Sequence, residues 1–169
     1  MVARINGEAV IYVTDDQGKA RISFEAAQCR ALSRPRRARE LADRHPATYV
    51  GFDVLAYPAG GLPDLRPRPY SERRQVLLDV LAGIGPPIQP VWSTTDRSEA
   101  LLWYEALRGT GVEGIVAKPL RSSYAPGRIW SKIRNRMNCI ERNTLQLAVR
   151  RFVLVSVSAV RLLQRHSKR

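Results

Sequence analysis

A chain of 169 residues and 19.0 kDa suits one domain, or one domain with an appendage, and is long enough to bury a real core. Hydrophobic residues at 44% and charged residues at 25% sit near globular averages, which argues against a wholly disordered chain. A net charge of +13, from 28 Lys and Arg against 15 Asp and Glu, favours partners made of phosphate, while two cysteines and two histidines support neither a disulfide scaffold nor a His-based metal centre or triad.

Residues 1–136 read as a well-punctuated α+β domain with a mixed or antiparallel sheet. Glu8 to Thr14 is rich in β-branched residues and ends in the turn chemistry of Asp15-Asp16-Gln17-Gly18. Arg21 to Phe24 is expected to return as the second arm of a hairpin. Pro35 opens a basic helix over RRARELADRH, with proline at a tolerated first-turn position. Ala47 to Tyr57 predicts a buried strand that stops at Pro58-Ala59-Gly60-Gly61. Ser71 begins a helix whose Val76, Leu77, Val80 and Leu81 form one stripe.

Asp96, with Glu99 three residues on, predicts a capped helix carrying Leu101, Leu102, Tyr104 and Leu107 and ended by Gly109 and Gly111. Two strands follow, Val112 to Lys118 and Ile129 to Arg134. Residues 137–169 differ in texture: no Gly, no Pro, one acid (Glu141), and +6 of the total charge. Periodicity leaves this basic tail open between an amphipathic helix, a pair of strands and sequence without a fold. Phe152 to Val160, bracketed by arginines, is too short to span a bilayer, and a reducing, cytoplasmic compartment is expected.

Four short segments carry chemistry. Glu8, beside Gly7, is a carboxylate that could accept from a ribose hydroxyl or help position a metal; taken alone it reads first as a surface residue beside a turn. Phe52, in a strand with Asp53, offers a flat face for a purine, although core packing explains a lone Phe as well. Strand alternation from Glu113 puts Glu113, Ile115 and Ala117 on one face and Gly114, Val116 and Lys118 on the other. Lys132 and Arg134 share a face, so two cations can grip one phosphate.

The segments GEAVIYV, PATYVGFDVLAY, RPYSERRQVLLDVL, GTGVEGIVAKPL and SYAPGRIWSKIRNR, in this order and spacing, resemble bacterial ATP-dependent DNA ligases of the end-joining type over residues 1–136. The resemblance implies a nucleotidyltransferase adenylation-domain fold. It implies ATP and Mg2+ as cofactors and nicked or broken duplex DNA as partner. Residue by residue, it implies that Glu8 contacts the ribose and Phe52 stacks on adenine. Glu113 is implied at the metal and phosphate end, Lys132 and Arg134 at the α-phosphate, and Lys118 near phosphate.

Departures accompany the matches. Family members attack ATP with a lysine in K-x-D-G-x-R, and Lys19, Lys118, Lys132 and Lys168 all lie outside that context. Only five residues precede the Asn6-Gly7-Glu8 segment, so an N-terminally truncated adenylation domain is expected. Asn6 replaces the usual Asp and Arg134 the usual Lys, and no OB-fold domain is recognisable in residues 137–169. The leading expectation is an incomplete DNA ligase. The alternatives are a non-catalytic remnant that binds nucleotide or nucleic acid through diffuse charge, an RNA ligase or capping-type nucleotidyltransferase, and a tail docking on anionic membrane.

Overall fold

The computed structural model describes residues 2–108, 110–127 and 129–134, together with the backbone of 154–158. Two four-stranded sheets form the frame. The first contains β1 (Arg4–Thr14), β2 (Ala20–Ile22), β3 (Ala47–Ala56) and β4 (Ile88–Pro90) in the order β2-β1-β3-β4. β1 runs antiparallel to both neighbours, whereas β3 and β4 are parallel, so the sheet is mixed as expected. The Asp15 carboxylate accepts from the backbone N–H groups of Gln17 and Lys19 and closes the first hairpin.

The return arm is shorter than the sequence implied. It stops at Ile22 because the Ser23 hydroxyl accepts from Ala26 N at 3.1 Å, capping helix α1 (Phe24–Leu32), which the sequence reading did not anticipate. Helix α2 (Pro35–Arg44) begins at Pro35, as expected. Helix α3 (Tyr70–Leu81) packs on β3 and buries Leu77, Val80 and Leu81 against Val54 and Leu65, with Val76 on the margin. Burying such a Leu or Val side chain is worth roughly 1.5–3 kcal/mol, so this cluster fixes α3 on the sheet.

The second sheet contains β5 (Ser93–Thr94), β6 (Gly114–Lys118), β7 (Ser131–Arg134) and β8 (Leu154–Ser158), all antiparallel, in the order β5-β8-β6-β7. Helix α4 (Arg97–Ala106) starts at Asp96, whose carboxylate accepts from Ser98 N and Glu99 N. Its buried face is Ala100 and Tyr104, one turn apart, packed on Ile115, Ala117 and Ile133 with Leu101 at the edge. Leu102, expected on the apolar stripe, is instead 70% exposed: it points away from that face.

Residues 154–158 belong to the basic tail. Their backbone pairs with β6 from Gly114↔Ser158 to Lys118↔Leu154, so at these five positions the tail is a strand inside the second sheet rather than a helix. The rest of the expectation for 137–169 lies outside the described residues. Among the described residues no helix is long and apolar enough to cross a membrane.

Candidate functional site

The site is built around an irregularity in β3. Along β1, Asn6 pairs with Asp53 and Gly7 with Gly51, so Phe52 is the extra residue of a β-bulge. Pairing with β4 ends at Gly51, one residue before the Phe52 carbonyl. Two side chains claim it: the Tyr70 hydroxyl donates at 3.1 Å and the Lys118 ammonium at 3.2 Å. Lys118 Nζ also lies 5.0 Å from the centre of the Phe52 ring and 4.5 Å from that of Tyr70. Burial pushes the Lys118 amine down to about 8, with the nearby Asp53 carboxylate opposing that shift.

Beneath Phe52 sits a buried ion pair. Arg73, at the start of α3, meets Asp53 with two bonds of 2.8 and 3.0 Å. Both side chains are at least 96% buried, and the remaining guanidinium capacity goes to the carbonyls of Arg68 and Ser122. Its charge lies 5.4 Å from the Tyr70 ring centre and 5.8 Å from that of Tyr124. Tyr124 in turn accepts from the Asn6 amide at 3.0 Å, tying this group back to β1 one residue before Gly7. Sequence reasoning missed Asp53, Tyr70, Arg73 and Tyr124 as parts of the site. One signal was present: Arg73 lies four residues before Leu77, on the core side of α3, where a charged residue requires a buried partner.

The second sheet supplies the cations. Ile133 is buried in the α4 core, so its neighbours Lys132 and Arg134 project to the opposite face, as alternation predicts. Lys132 lies opposite Val116 in the register, which puts it on the face shared by Val116 and Lys118. Arg134 is exposed at the strand end. The expected placement of Glu113 with Ile115 and Ala117 is corrected here. The strand begins only at Gly114, whose φ of +153° breaks the alternation, and Glu113 turns to accept from Lys132 Nζ at 2.7 Å. A Cβ at Gly114 would run into the Ile133 carbonyl, so only glycine permits this close strand approach.

The structure therefore brings Phe52 and Lys118 together, and Glu113 and Lys132 together, with Lys118 and Lys132 on one face of adjacent strands. Glu8 stands half-buried on β1 opposite Val50, one pair beyond the Gly7–Gly51 step that flanks the bulge. This donor set fits an adenine nucleotide in kind: a half-buried aromatic ring, a carboxylate, and cations for phosphate. Among the described residues no three His, Cys, Asp or Glu side chains cluster to hold a metal. Glu113 alone is a hard oxygen ligand of the sort Mg2+ accepts alongside phosphate oxygens.

A bulged strand whose aromatic meets Lys118, beside a strand with two cations, offers one surface suited to a base and another suited to phosphate. Comparison with known proteins supplies the class. Residues 3–134 match the family described as ATP dependent DNA ligase domain. The chain is 38% identical over 136 residues to DNA ligase C of Mycobacterium tuberculosis, covering 78% of this chain and 36% of that protein. It is 36% identical over 132 residues to DNA ligase C2 of Mycolicibacterium smegmatis, covering 78% and 35%. A DNA ligase of Methanocorpusculum labreanum matches at 34% over 116 residues, covering 65% and 20%. The chain belongs to the ATP-dependent DNA ligase family, and it spans about a third of the length of the mycobacterial relatives it matches.

Proposed function

We propose that this chain supplies the nucleotide-holding part of an ATP-dependent DNA ligase, with the adenine on Phe52, the ribose at Glu8 and the α-phosphate at Lys132 and Arg134. The observation that carries this reading is the position of Lys118. It sits on the ring and carbonyl of Phe52 while its strand is the immediate neighbour of the one bearing Lys132 and Arg134. One residue thus links the base end to the phosphate end.

In such a site Tyr70 and Lys118 hold the Phe52 backbone, which fixes the aromatic face that the base meets. Lys132 and Arg134 neutralise phosphate charge, the main contribution a protein makes to phosphoryl transfer. Mg2+, when bound, shields the phosphate oxygens, and Glu113 is the residue that would hold it. Glu113 now accepts from Lys132, so holding the ion would require it to give up that partner, whose ammonium is the cation assigned to phosphate. The reaction assigned to the complete enzyme is nick sealing: AMP passes to a DNA 5′-phosphate and a 3′-hydroxyl then displaces it. The four lysines of this sequence lie outside the K-x-D-G-x-R context, so we assign this chain AMP holding and not formation of the lysyl adenylate.

We place the family domain at residues 1–136 and treat 137–169 as an appended segment whose strand at 154–158 is enclosed by β5 and β6. We also assign the reaction to the cytoplasm, in keeping with the exposed free thiol of Cys29. The test is a calorimetric titration of the folded chain with ATP and magnesium. Saturable binding that falls about tenfold in Phe52→Ala is expected, in line with roughly 1–3 kcal/mol per stacked base. Absence of binding by folded protein overturns the proposal.

A further inference from the structure

Most of the net positive charge of residues 1–136 is concentrated in a segment that holds none of the proposed nucleotide-site residues. Residues 19–44 hold eight Lys and Arg against three Asp and Glu, a net +5 out of +7. The densest part is α2, which buries no residue and rests on the molecule through half-buried Ala38, Leu41 and Ala42. Arg34, Arg36, Arg37, Arg39 and Arg44 are all exposed around it. Arg36 and Arg37 share the single carboxylate of Glu40, at 3.5 and 3.1 Å, and among the described residues Arg34, Arg39 and Arg44 form no ion pair.

The arrangement also works against the helix itself. The N-terminus of a helix is its positive end and prefers an acid or a side-chain cap. α1, α3 and α4 each carry an acid in the first turn: Glu25, Glu72 and Glu99. α2 carries none, has Arg34 at its cap position without a side-chain cap bond, and places Arg36 and Arg37 in the first turn. A local choice that costs helix stability and packs against nothing points to an external anion. Delocalised guanidinium groups spread along one exposed helix match a row of phosphates, such as a nucleic-acid backbone presents.

We propose that the exposed basic face of α2 is a docking surface for the sugar–phosphate backbone of duplex DNA. This rests on the ligase reading and extends it by assigning a backbone contact outside the proposed nucleotide site. The contact is independent of sequence, and its strength falls steeply with salt.

The experiment compares two charge-matched triple variants of the full chain: R34Q/R36Q/R37Q on α2, and R66Q/R97Q/R108Q on exposed positions elsewhere. Affinity for a nicked duplex is measured across a salt series, with thermal melting and ATP binding in parallel. The α2 variant is expected to flatten the slope of log K against log salt by up to about 3, at roughly 0.9 per lost phosphate contact. Its melting temperature should stay level or rise, because repulsion at the helix start is relieved, and its ATP affinity should not change. The second variant should alter the slope by less than about 1. Equal slopes for the two variants overturn the proposal while leaving the nucleotide site intact. Failure of the unmodified protein to bind duplex at low salt overturns the ligase reading and this proposal with it. Loss of binding to anionic lipid vesicles, with duplex affinity unchanged, gives the surface a membrane partner and also overturns the DNA assignment.

Discussion

The two sheets contribute opposite kinds of chemistry to the proposed nucleotide site. On the first sheet, Phe52 is held by a bulge, by two hydrogen bonds to its carbonyl and by the buried Asp53–Arg73 pair. On the second, Lys132 and Glu113 pair with each other, their side chains 9% and 24% exposed, and Arg134 stands in solvent. The proposed base end is thus pre-organised, while the proposed phosphate end must exchange partners to work. Rigid placement suits stacking, which depends on the orientation of a flat face. Exchangeable pairing suits phosphate, whose charge and metal change along the reaction.

The largest expected effect tests the rigid half. Asp53→Ala leaves the Arg73 guanidinium buried without its carboxylate, and about 3–5 kcal/mol of stability should be lost in urea unfolding. A loss under about 1 kcal/mol would mean that water reaches Arg73 and that the pair does not organise Phe52.

Lys118 gives the next effect, and its sign is fixed by linkage. Its folded value of about 8 lies below the ordinary 10.5, so between these pH values the unfolded chain binds more protons. Stability therefore rises with pH through that window, by about 2–3 kcal/mol at most for this group. Lys118→Met should abolish that rise, read as the difference between the two proteins' stability–pH curves. Parallel curves would show that the amine is solvated and does not rest on Phe52. Tyr70→Phe is milder: it removes one hydrogen bond to the Phe52 carbonyl and should cost about 0.5–1.5 kcal/mol.

The last effect belongs to the exchangeable half. Glu113→Gln keeps an acceptor for the mostly buried Lys132 but removes its countercharge, and should cost about 1–3 kcal/mol. Its effect on ATP should depend on metal: tighter binding without magnesium, because Lys132 is released to phosphate, and no such gain with magnesium. Weaker binding under both conditions would mean that Glu113 positions Lys132 rather than competing for it.

Much of the frame was legible in the chain. The Asp96 cap, the Pro35 helix start, the α3 stripe and the alternation of Lys132 and Arg134 around Ile133 are local patterns, and each appears in the structure. What was not legible depends on partners distant in sequence. The bulge at Phe52 exists only in the register with β1, and the turn of Glu113 only in the approach of β6 to β7. β4 and β5 are three and two residues long, too short for any period to show. Helix α1 buries no residue and so has no apolar stripe to read. Arg73 and Asp53 are 20 residues apart; the place of Arg73 on the core side of α3 calls for a buried partner, but nothing local marks Asp53 as that partner.

The joining of a fixed base end to an exchangeable phosphate end is tested most directly by titrating ATP and adenosine in parallel against the unmodified chain, Phe52→Ala and Lys132→Gln. Phe52→Ala should weaken both ligands by a similar factor, whereas Lys132→Gln should weaken ATP about tenfold or more and leave adenosine unchanged. ATP binding indifferent to Lys132, or adenosine binding indifferent to Phe52, would contradict a single nucleotide site spanning the two sheets.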